Sequence, residues 1–157
     1  MTGPPLVRCV NVARTYGSGP AAVVAVHGAT CAVSAGDGIA LVGPSGSGKS
    51  TLLHLMAGLD TPTTGEIAWP ALGGRSAIRP GPVGVVFQGP SLLPALDVVE
   101  NVALPLLLEG ADPDRARSRA HHALQQLGLD DLAPKLPEEL SGGQAQRVAI
   151  ARVLAAT

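Results

Sequence analysis

The sequence is poor in charged residues, in aromatic residues and in lysine. Charged residues make up 15% of the 157 positions, and the net charge is −1. This balance gives the chain no general electrostatic attraction to nucleic acid or to an anionic membrane, so we expect no nucleic-acid partner. The hydrophobic fraction of 46% indicates a globular chain rather than a disordered one.

Long apolar runs are also missing. The longest, VALPLLL from Val102 to Leu108, is interrupted by a proline and is far shorter than the roughly 20 residues that a membrane-spanning helix requires. The first ten residues, MTGPPLVRCV, lack the apolar segment of a signal peptide. We therefore expect a cytoplasmic protein that reaches a membrane, if at all, through a partner.

Cysteine and lysine are scarce. Cys9 and Cys31 lie in apolar stretches, and their spacing matches no metal motif, so we expect two buried small hydrophobic side chains. The only lysines are Lys49 and Lys135, and arginine supplies the other cations. A lysine kept in so lysine-poor a chain suggests a role that arginine performs poorly.

The first half of the chain has the pattern of strands around one helix. Residues 6–12 and 23–33 are predicted as strands, separated by a turn within YGSGP. Residues 38–43 and 83–88 are predicted as buried strands because they are short apolar runs. A helix is predicted over STLLHLMAGL, with Gly58 near its C-terminal cap.

The second half of the chain has a helical pattern. ALDVVENVALPLLL predicts one helix that ends or kinks near Pro105. Another helix is predicted between an N-cap at Asp112 and a C-cap at Gly128. On that helix we expect His121 and His122 at the surface, because no acidic or histidine partner lies at ligand spacing.

The stretch GPSGSGKS matches the phosphate-binding pattern G-x-x-x-x-G-K-[ST] at every fixed position, between a predicted strand and a predicted helix. Its glycines allow the backbone to wrap around phosphate oxygens, and the helix N-terminus adds the positive end of its dipole. The lysine supplies a compact charge to the β- and γ-phosphates, and the serine hydroxyl can ligate Mg²⁺. The predicted nucleotide-binding residues here are Gly43, Pro44, Ser45, Gly46, Ser47, Gly48, Lys49, Ser50 and Thr51.

Two later features have two interpretations each when taken alone. Gln88 follows a predicted strand and either reaches Mg²⁺ or the attacking water, or is a strand-end amide that faces solvent. The loop LSGGQ, from Leu140 to Gln144, precedes a helical pattern. It is either an ordinary glycine-rich N-cap or a second anion site at a helix N-terminus.

In this order, the phosphate cradle, Gln88 and LSGGQ resemble the ATP-binding cassette (ABC) ATPases, and the resemblance covers essentially the whole chain. It implies an α/β fold of the P-loop NTPase type, as a single partial ABC ATPase domain over residues 1–157. Residues 1–88 are then a β-rich nucleotide-binding core with a small antiparallel β region. Residues 89–139 form a helical subdomain, and residues 140–157 hold the signature loop and the start of the following helix.

The resemblance also implies roles for single residues. Tyr16 in RTYGSG occupies the position of a family tyrosine that stacks on adenine. The alternative interpretation is a tyrosine that only packs at the end of a strand. Ser50 and Gln88 would hold Mg²⁺, and ATP and Mg²⁺ are the implied cofactors of an ATPase. The signature loop would contact the γ-phosphate of ATP in the cradle of a second ATPase subunit, in a head-to-tail dimer. Its residues are Ser141, Gly142, Gly143 and Gln144.

Within the family, GLDTPTTGEI and FQGPSLLPALDVVENVALPLL are similar to the subfamily that drives lipoprotein release, macrolide export and antimicrobial-peptide efflux. This implies a transmembrane permease as a partner, which residues just after Gln88 would meet. It also implies a cytoplasmic location, peripheral to the inner or plasma membrane through that permease. The transported substrate is not implied, because the permease carries that specificity.

The sequence departs from the family pattern in two places. The segment between Gly65 and Gln88 is shorter than usual, and the chain stops before the strand that carries the family's Asp and catalytic Glu. Glu138 and Glu139 precede the signature loop and do not replace them. We therefore expect a C-terminally truncated chain that binds nucleotide weakly and hydrolyses it poorly or not at all alone. The alternatives are a soluble ABC-type ATPase without a permease and a non-catalytic remnant.

Overall fold

The computed structural model describes residues 3–78, 81–89 and 91–156. The chain divides into two compact units, Met1–Val83 and Gly84–Thr157, and each has its own apolar core. Within the described residues, strands lie in the first unit, and the second unit is built from helices.

An antiparallel sheet organises the first unit. The central strand β1 (Val7–Tyr16) pairs with β2 (Val23–Val33) on one side and with β3 (Thr64–Ala68) on the other. The strands predicted over residues 6–12 and 23–33 are therefore confirmed, although β1 continues to Tyr16. In the β1–β2 pair, Val7 lies opposite Val33 and Tyr16 lies opposite Val23. Tyr16 is thus placed at the turn end of this hairpin.

Helix α1 (Lys49–Met56) follows the cradle and packs Leu55 into the core of the first unit. Its predicted C-terminal glycine is confirmed, because Gly58 has a φ of 70° and its amide donates to the Leu55 carbonyl at 3.0 Å. Glycine reaches this left-handed conformation without the penalty of a Cβ. A Cβ at Gly58 would also lie 2.6 Å from Ile78 Cδ1, so the buried Ile78 side chain would have to shift to accept a larger residue here.

Two predicted strands are wrong. Residues 38–43 and 83–88 form no strand, although both are short apolar runs. A strand needs a hydrogen-bonded neighbour, and neither segment has one among the residues that the structure describes. Val42 is accordingly 92% exposed instead of buried. An apolar run predicts that a segment can be buried, but it carries no information about the partner it needs.

Three helices make up the second unit. They are α2 (Val98–Leu108), α3 (Pro113–Gln126) and α4 (Gly142–Ala156). Helix α2 continues through Pro105 and ends three residues later, at Leu108, so the helix ends near the proline but not at it. The next residue, Leu106, is buried in the core, and this packing offsets the backbone hydrogen bond that a proline cannot donate.

The limits of α3 agree with the prediction. The Asp112 side chain accepts hydrogen bonds from the amides of Asp114 and Arg115, both at 3.1 Å. At the other end, Gly128 has a φ of 64° and its amide donates to the Gln125 carbonyl at 3.0 Å. Both ends are fixed by local chemistry, which explains why the sequence predicts them.

His122 is exposed and His121 is partly exposed, in agreement with the expected surface position, but the reason given for that position, the lack of an acidic partner, is wrong for His121. The structure gives His121 an acidic partner, because its Nδ1 lies 2.7 Å from Asp130 Oδ1. The hydrogen bond from His121 lowers the pKa of Asp130 below its ordinary value. Asp130 lies beyond the end of the helix, in a turn that brings it back to α3, so spacing rules for one continuous helix do not reveal the pair.

Candidate functional site

The phosphate cradle lies directly on strand β2. Gly48 is the N-cap of α1 and has a φ of 83°, and a Cβ added there would collide with the Ala25 carbonyl oxygen and approach the Val26 side chain. Glycine is therefore required at Gly48 both by the backbone conformation and by the close approach to the sheet. This contact positions the start of α1, with its free N–H groups, beside β2.

The Lys49 side chain folds back into the cradle. Its Nζ donates hydrogen bonds to the carbonyl oxygens of Gly43 and Pro44, at 3.0 and 2.6 Å, and to Ser47 Oγ at 3.2 Å. Three oxygen atoms of one short loop thus hold a single cationic group. A positive charge fixed in this way, next to a helix N-terminus, attracts an anionic group such as a phosphate.

A cavity of about 530 Å³ lies between β2, the cradle and the first turns of α1. It is lined by apolar residues of β2 such as Val24 and Val26, and by Gly43, Ser47 and Lys49 of the cradle. Ser50 and Thr51 follow in the first turn of α1. This space combines apolar walls with one cation and several hydrogen-bond donors, which is a suitable lining for a phosphorylated ligand.

Tyr16 is held at the end of β1 by two charged residues. Its hydroxyl donates to Asp60 Oδ2 at 2.7 Å, and the Arg14 guanidinium lies over its ring, 4.5 Å from the centroid. Arg14 Nη2 also pairs with Asp60 Oδ1 at 2.9 Å. The hydrogen bond from Tyr16, together with the Thr61 amide and Arg14, lowers the pKa of Asp60. The carboxylate is therefore charged at neutral pH.

The LSGGQ loop begins helix α4 with a capping box. Ser141 Oγ accepts a hydrogen bond from the Gln144 amide at 3.2 Å, and Gln144 Oε1 accepts one from the Ser141 amide at 2.8 Å. The two glycines between them are exposed, and a Cβ at Gly142 or Gly143 would meet no atom within 4 Å. Packing within this chain therefore does not explain the glycines, which leave an open surface at a helix N-terminus.

Gln88 and the start of α4 line one cavity of the second unit, of about 510 Å³. Its walls are mostly apolar and include Leu92, Pro94 and Ala145, and Gln88 and Gly142 also line it. The structure therefore brings Gln88 and Gly142 of the LSGGQ loop to the same cavity, although 54 positions of sequence separate them.

Sequence reasoning missed two polar residues that hold the segment following Gln88 in place. Arg152 on α4 donates to the Ser91 carbonyl at 2.7 Å and to Ser91 Oγ at 3.1 Å. Asn101 is fully buried, accepts a hydrogen bond from the Leu93 amide and donates to carbonyl oxygens that include those of Leu93 and Leu96. Asn101 carries a sequence signal, since it is a polar residue inside an apolar helix. The pair of Arg152 and Ser91 carries none.

A family model described as ABC transporter matches residues 26–157. The chain belongs to this family. It is an ABC transporter nucleotide-binding subunit with the P-loop ABC ATPase fold, so the predicted family and fold class are confirmed. Tyr16 precedes the matched range.

Solved structures of ABC cassettes resemble the chain over nearly its whole length. The ATP-binding cassette MJ0796, in a dimeric post-hydrolysis state bound to ADP and Pi, is 38% identical, with a TM-score of 0.84. The match covers 95% of this chain and 69% of that one. A second dimeric structure of MJ0796, a bacterial ABC transporter cassette, is 37% identical over the same shares, with a TM-score of 0.85.

A more distant relative is the cbiO1 protein of Clostridium perfringens, part of the ABC transporter complex cbiONQ. It is 28% identical, with a TM-score of 0.80, and the match covers 98% of this chain and 62% of that one. In the part of this ABC cassette that the structure describes, no helix is long and apolar enough to cross a membrane.

Proposed function

We propose that the cradle from Gly43 to Ser50 binds the triphosphate of ATP. The observation that carries this proposal is the Lys49 ammonium, which the loop's own oxygens hold beside the N-terminus of α1. Phosphate oxygens arriving here meet a fixed cation and free backbone N–H groups. The relative MJ0796, which was solved with ADP and Pi, supports a nucleotide as the ligand. A calorimetric titration with MgATP tests this step, and the absence of binding would contradict it.

Mg²⁺ accompanies the triphosphate in this proposal. The Ser50 hydroxyl and the Gln88 side-chain oxygen are the two hard oxygen ligands assigned to it, and the bound ion neutralises charge on the phosphate oxygens. Across residues 3–78, 81–89 and 91–156, no group of three or more His, Cys, Asp or Glu could hold a metal ion.

The Tyr16 ring is the proposed platform for adenine. It lies at the turn end of β1, opposite Val23, and the next residue of β2, Val24, lines the cradle cavity. The side chain is 41% exposed, which leaves part of the ring free for contact with a ligand. An aromatic face of this kind stacks on a purine without further polar groups.

The LSGGQ loop is proposed to meet the γ-phosphate of ATP held by a second subunit, in a head-to-tail dimer. The open surface at Gly142 and Gly143 supports this, because it exposes N–H groups at the start of α4. ATP and ADP differ in the γ-phosphate, so this contact distinguishes the two nucleotides as a switch requires.

A Ser141→Ala variant tests the dimer. We expect it to bind ATP in its own cradle but to form fewer ATP-dependent dimers in sedimentation velocity, because the loop loses a hydroxyl and its cap. The matched control is Ser118→Ala, which changes an exposed serine on α3. Undiminished ATP-dependent dimerisation of Ser141→Ala would show that the loop does not serve this contact.

The coupled partner is proposed to be a transmembrane permease of the type that drives lipoprotein release, macrolide export or antimicrobial-peptide efflux. A segment of the permease is proposed to bind in the mostly apolar cavity that Gln88 lines. Co-purification with a membrane protein tests this partner. A stable complex with nucleic acid and with no membrane protein would instead favour an ABC ATPase that works without a permease.

Hydrolysis by residues 1–157 alone is proposed to be slow. An attacking water needs a general base, and the carboxylate that the family resemblance assigns to this role is missing from the described lining of the cradle cavity. An ATPase assay on this chain, compared with a form extended by a family-like C-terminal segment, tests this point. Full activity of the 157-residue chain would contradict it.

A further inference from the structure

Arg14, Tyr16 and Asp60 form a closed set of contacts in which each residue touches the other two. The Tyr16 hydroxyl and the Arg14 guanidinium use different oxygen atoms of the Asp60 carboxylate, at 2.7 and 2.9 Å. The third contact is the guanidinium over the Tyr16 ring. The ring is thus held at its hydroxyl end and across one face.

The main effect of these contacts is to hold the Tyr16 ring in one position, and their contribution to the stability of the fold is small. Tyr16 lies at the surface, and the Arg14 and Asp60 side chains keep 24% and 21% of their surface exposed, so solvent still screens their ion pair and reduces its contribution to stability. Arg14 Nε is in addition buried without a hydrogen-bond partner, which costs free energy rather than supplying it. A cluster whose role is stability alone would not bury the Arg14 Nε–H group without a partner. The contacts of these three residues therefore indicate a different role.

Asp60 connects the ring to the helix that leads from the cradle. It lies shortly after the end of α1 at Met56, and its loop is braced by Arg75, whose Nη2 donates to the Gly58 and Asp60 carbonyl oxygens at 3.3 and 3.2 Å. The same helix therefore carries Lys49 at its start and the anchor of the Tyr16 ring just beyond its end. The position of the ring is fixed relative to the phosphate cradle.

We propose that Arg14 and Asp60 are positioning residues for the base of the bound nucleotide. They hold the Tyr16 ring in one orientation, with Arg14 over one face and the other face left for the base. A ring that is already fixed loses less conformational entropy when the base stacks on it. The inference rests on the proposed binding of ATP, and it predicts that both residues affect recognition of the base without affecting recognition of the phosphates.

The test compares two ligands on the full chain by calorimetry: MgATP, and magnesium tripolyphosphate, which has phosphates but no base. We expect Arg14→Gln and Asp60→Ala to raise the dissociation constant for MgATP about fivefold or more, as expected for a weakened base–aromatic stack. The constant for tripolyphosphate should stay within about twofold of the wild type, since the cradle is untouched. Arg8→Gln, on the exposed side of the same strand, is the matched control and should change neither constant.

A double-mutant cycle separates positioning from a general structural effect. Asp60→Ala should weaken ATP binding in the wild type but not in a Tyr16→Leu background, where no ring remains to be positioned. Tyr16→Phe provides a milder variant if Asp60→Ala does not fold. It keeps the aromatic face and removes only the hydroxyl that donates to Asp60, so it should weaken binding of ATP but not of tripolyphosphate.

Three outcomes would overturn the inference. Equal losses for both ligands would show that Arg14 and Asp60 support the whole unit. Equal binding of ATP and tripolyphosphate by the wild type would show that the base makes no contact. Additive effects of Asp60→Ala and Tyr16→Leu would show that Asp60 does not act through the ring. If the wild type binds neither ligand, the proposed nucleotide function itself fails, which is a different result from the loss of base selectivity alone.

Discussion

Arg152 on α4 and Ser91, 61 positions earlier, are joined by two hydrogen bonds. The guanidinium donates through Nη1 to the Ser91 carbonyl and through Nη2 to its hydroxyl. Burial lowers the pKa of Arg152, which reflects the cost of placing this cation among apolar neighbours. The pair fixes the segment that follows Gln88 onto the helix that begins at LSGGQ.

Replacing Arg152 should therefore destabilise the second unit. We expect Arg152→Ala to lower the free energy of unfolding by about 1–3 kcal/mol, because charged hydrogen bonds and the packing of the side-chain stem are lost together. Urea denaturation measures this change. The matched control is Arg147→Ala, an exposed arginine on the same helix, and an equal loss in that control would contradict the special role of Arg152.

Replacing Asn101 with an apolar residue of similar size should destabilise the fold. Asn101→Leu leaves the Leu93 amide and the carbonyl oxygens of Leu93 and Leu96 without the Asn101 amide group, and each group left unsatisfied away from water costs about 1–3 kcal/mol. We expect a loss of about 2 kcal/mol or more in the free energy of unfolding. Gln126→Leu, at an exposed site on α3, should change it by less than about 0.5 kcal/mol. An unchanged free energy of unfolding in Asn101→Leu would show that the hydrogen bonds of Asn101 do not stabilise the fold.

The two cysteines should differ in reactivity. They face each other on β1 and β2, but Cys9 is buried and Cys31 is exposed, so the expected burial is confirmed for Cys9 and wrong for Cys31. Cross-strand partners lie on the same face of a sheet, so the difference comes from the position of each strand. Cys9 lies on the central strand β1 and Cys31 on the edge strand β2, and an apolar stretch does not indicate which strand is central. Burial, with a smaller contribution from the neighbouring Cys31 thiol, raises the pKa of Cys9 to about 12.

Alkylation of the folded chain near pH 8 measures this difference. Because the thiolate is the reactive form, iodoacetamide should modify Cys31 and leave Cys9 unmodified, as read by mass spectrometry of the peptides. Both should react after denaturation in urea. Rapid modification of Cys9 in the folded chain would contradict the burial of this side chain.

The features that the sequence predicts well are those decided by neighbouring residues. The cap at Asp112 and the glycines at Gly58 and Gly128 each satisfy backbone groups within one helical turn, so a short pattern is enough to find them. The cradle motif is likewise local. Its closed arrangement around Lys49 follows from one loop of eight residues.

The features that the sequence misses depend on distant partners. Residues 38–43 and 83–88 form no strand, because neither segment has a pairing strand beside it among the described residues. A local apolar pattern does not indicate whether such a neighbour exists. The contacts of Tyr16 with Asp60, and of Arg152 with Ser91, join residues 44 and 61 positions apart. Nothing in either short stretch indicates such a partner, because the pairing exists only once the unit has folded.

The central claim is that the cradle binds the phosphates of ATP through Lys49, and the two lysines of the chain provide a direct test. Calorimetric titration with MgATP should give weak but measurable binding for the wild type and for Lys135→Ala, which removes the other lysine from the second unit. Lys49→Ala should abolish binding, because the β- and γ-phosphates lose their fixed cation. Unchanged ATP affinity in Lys49→Ala would contradict the account.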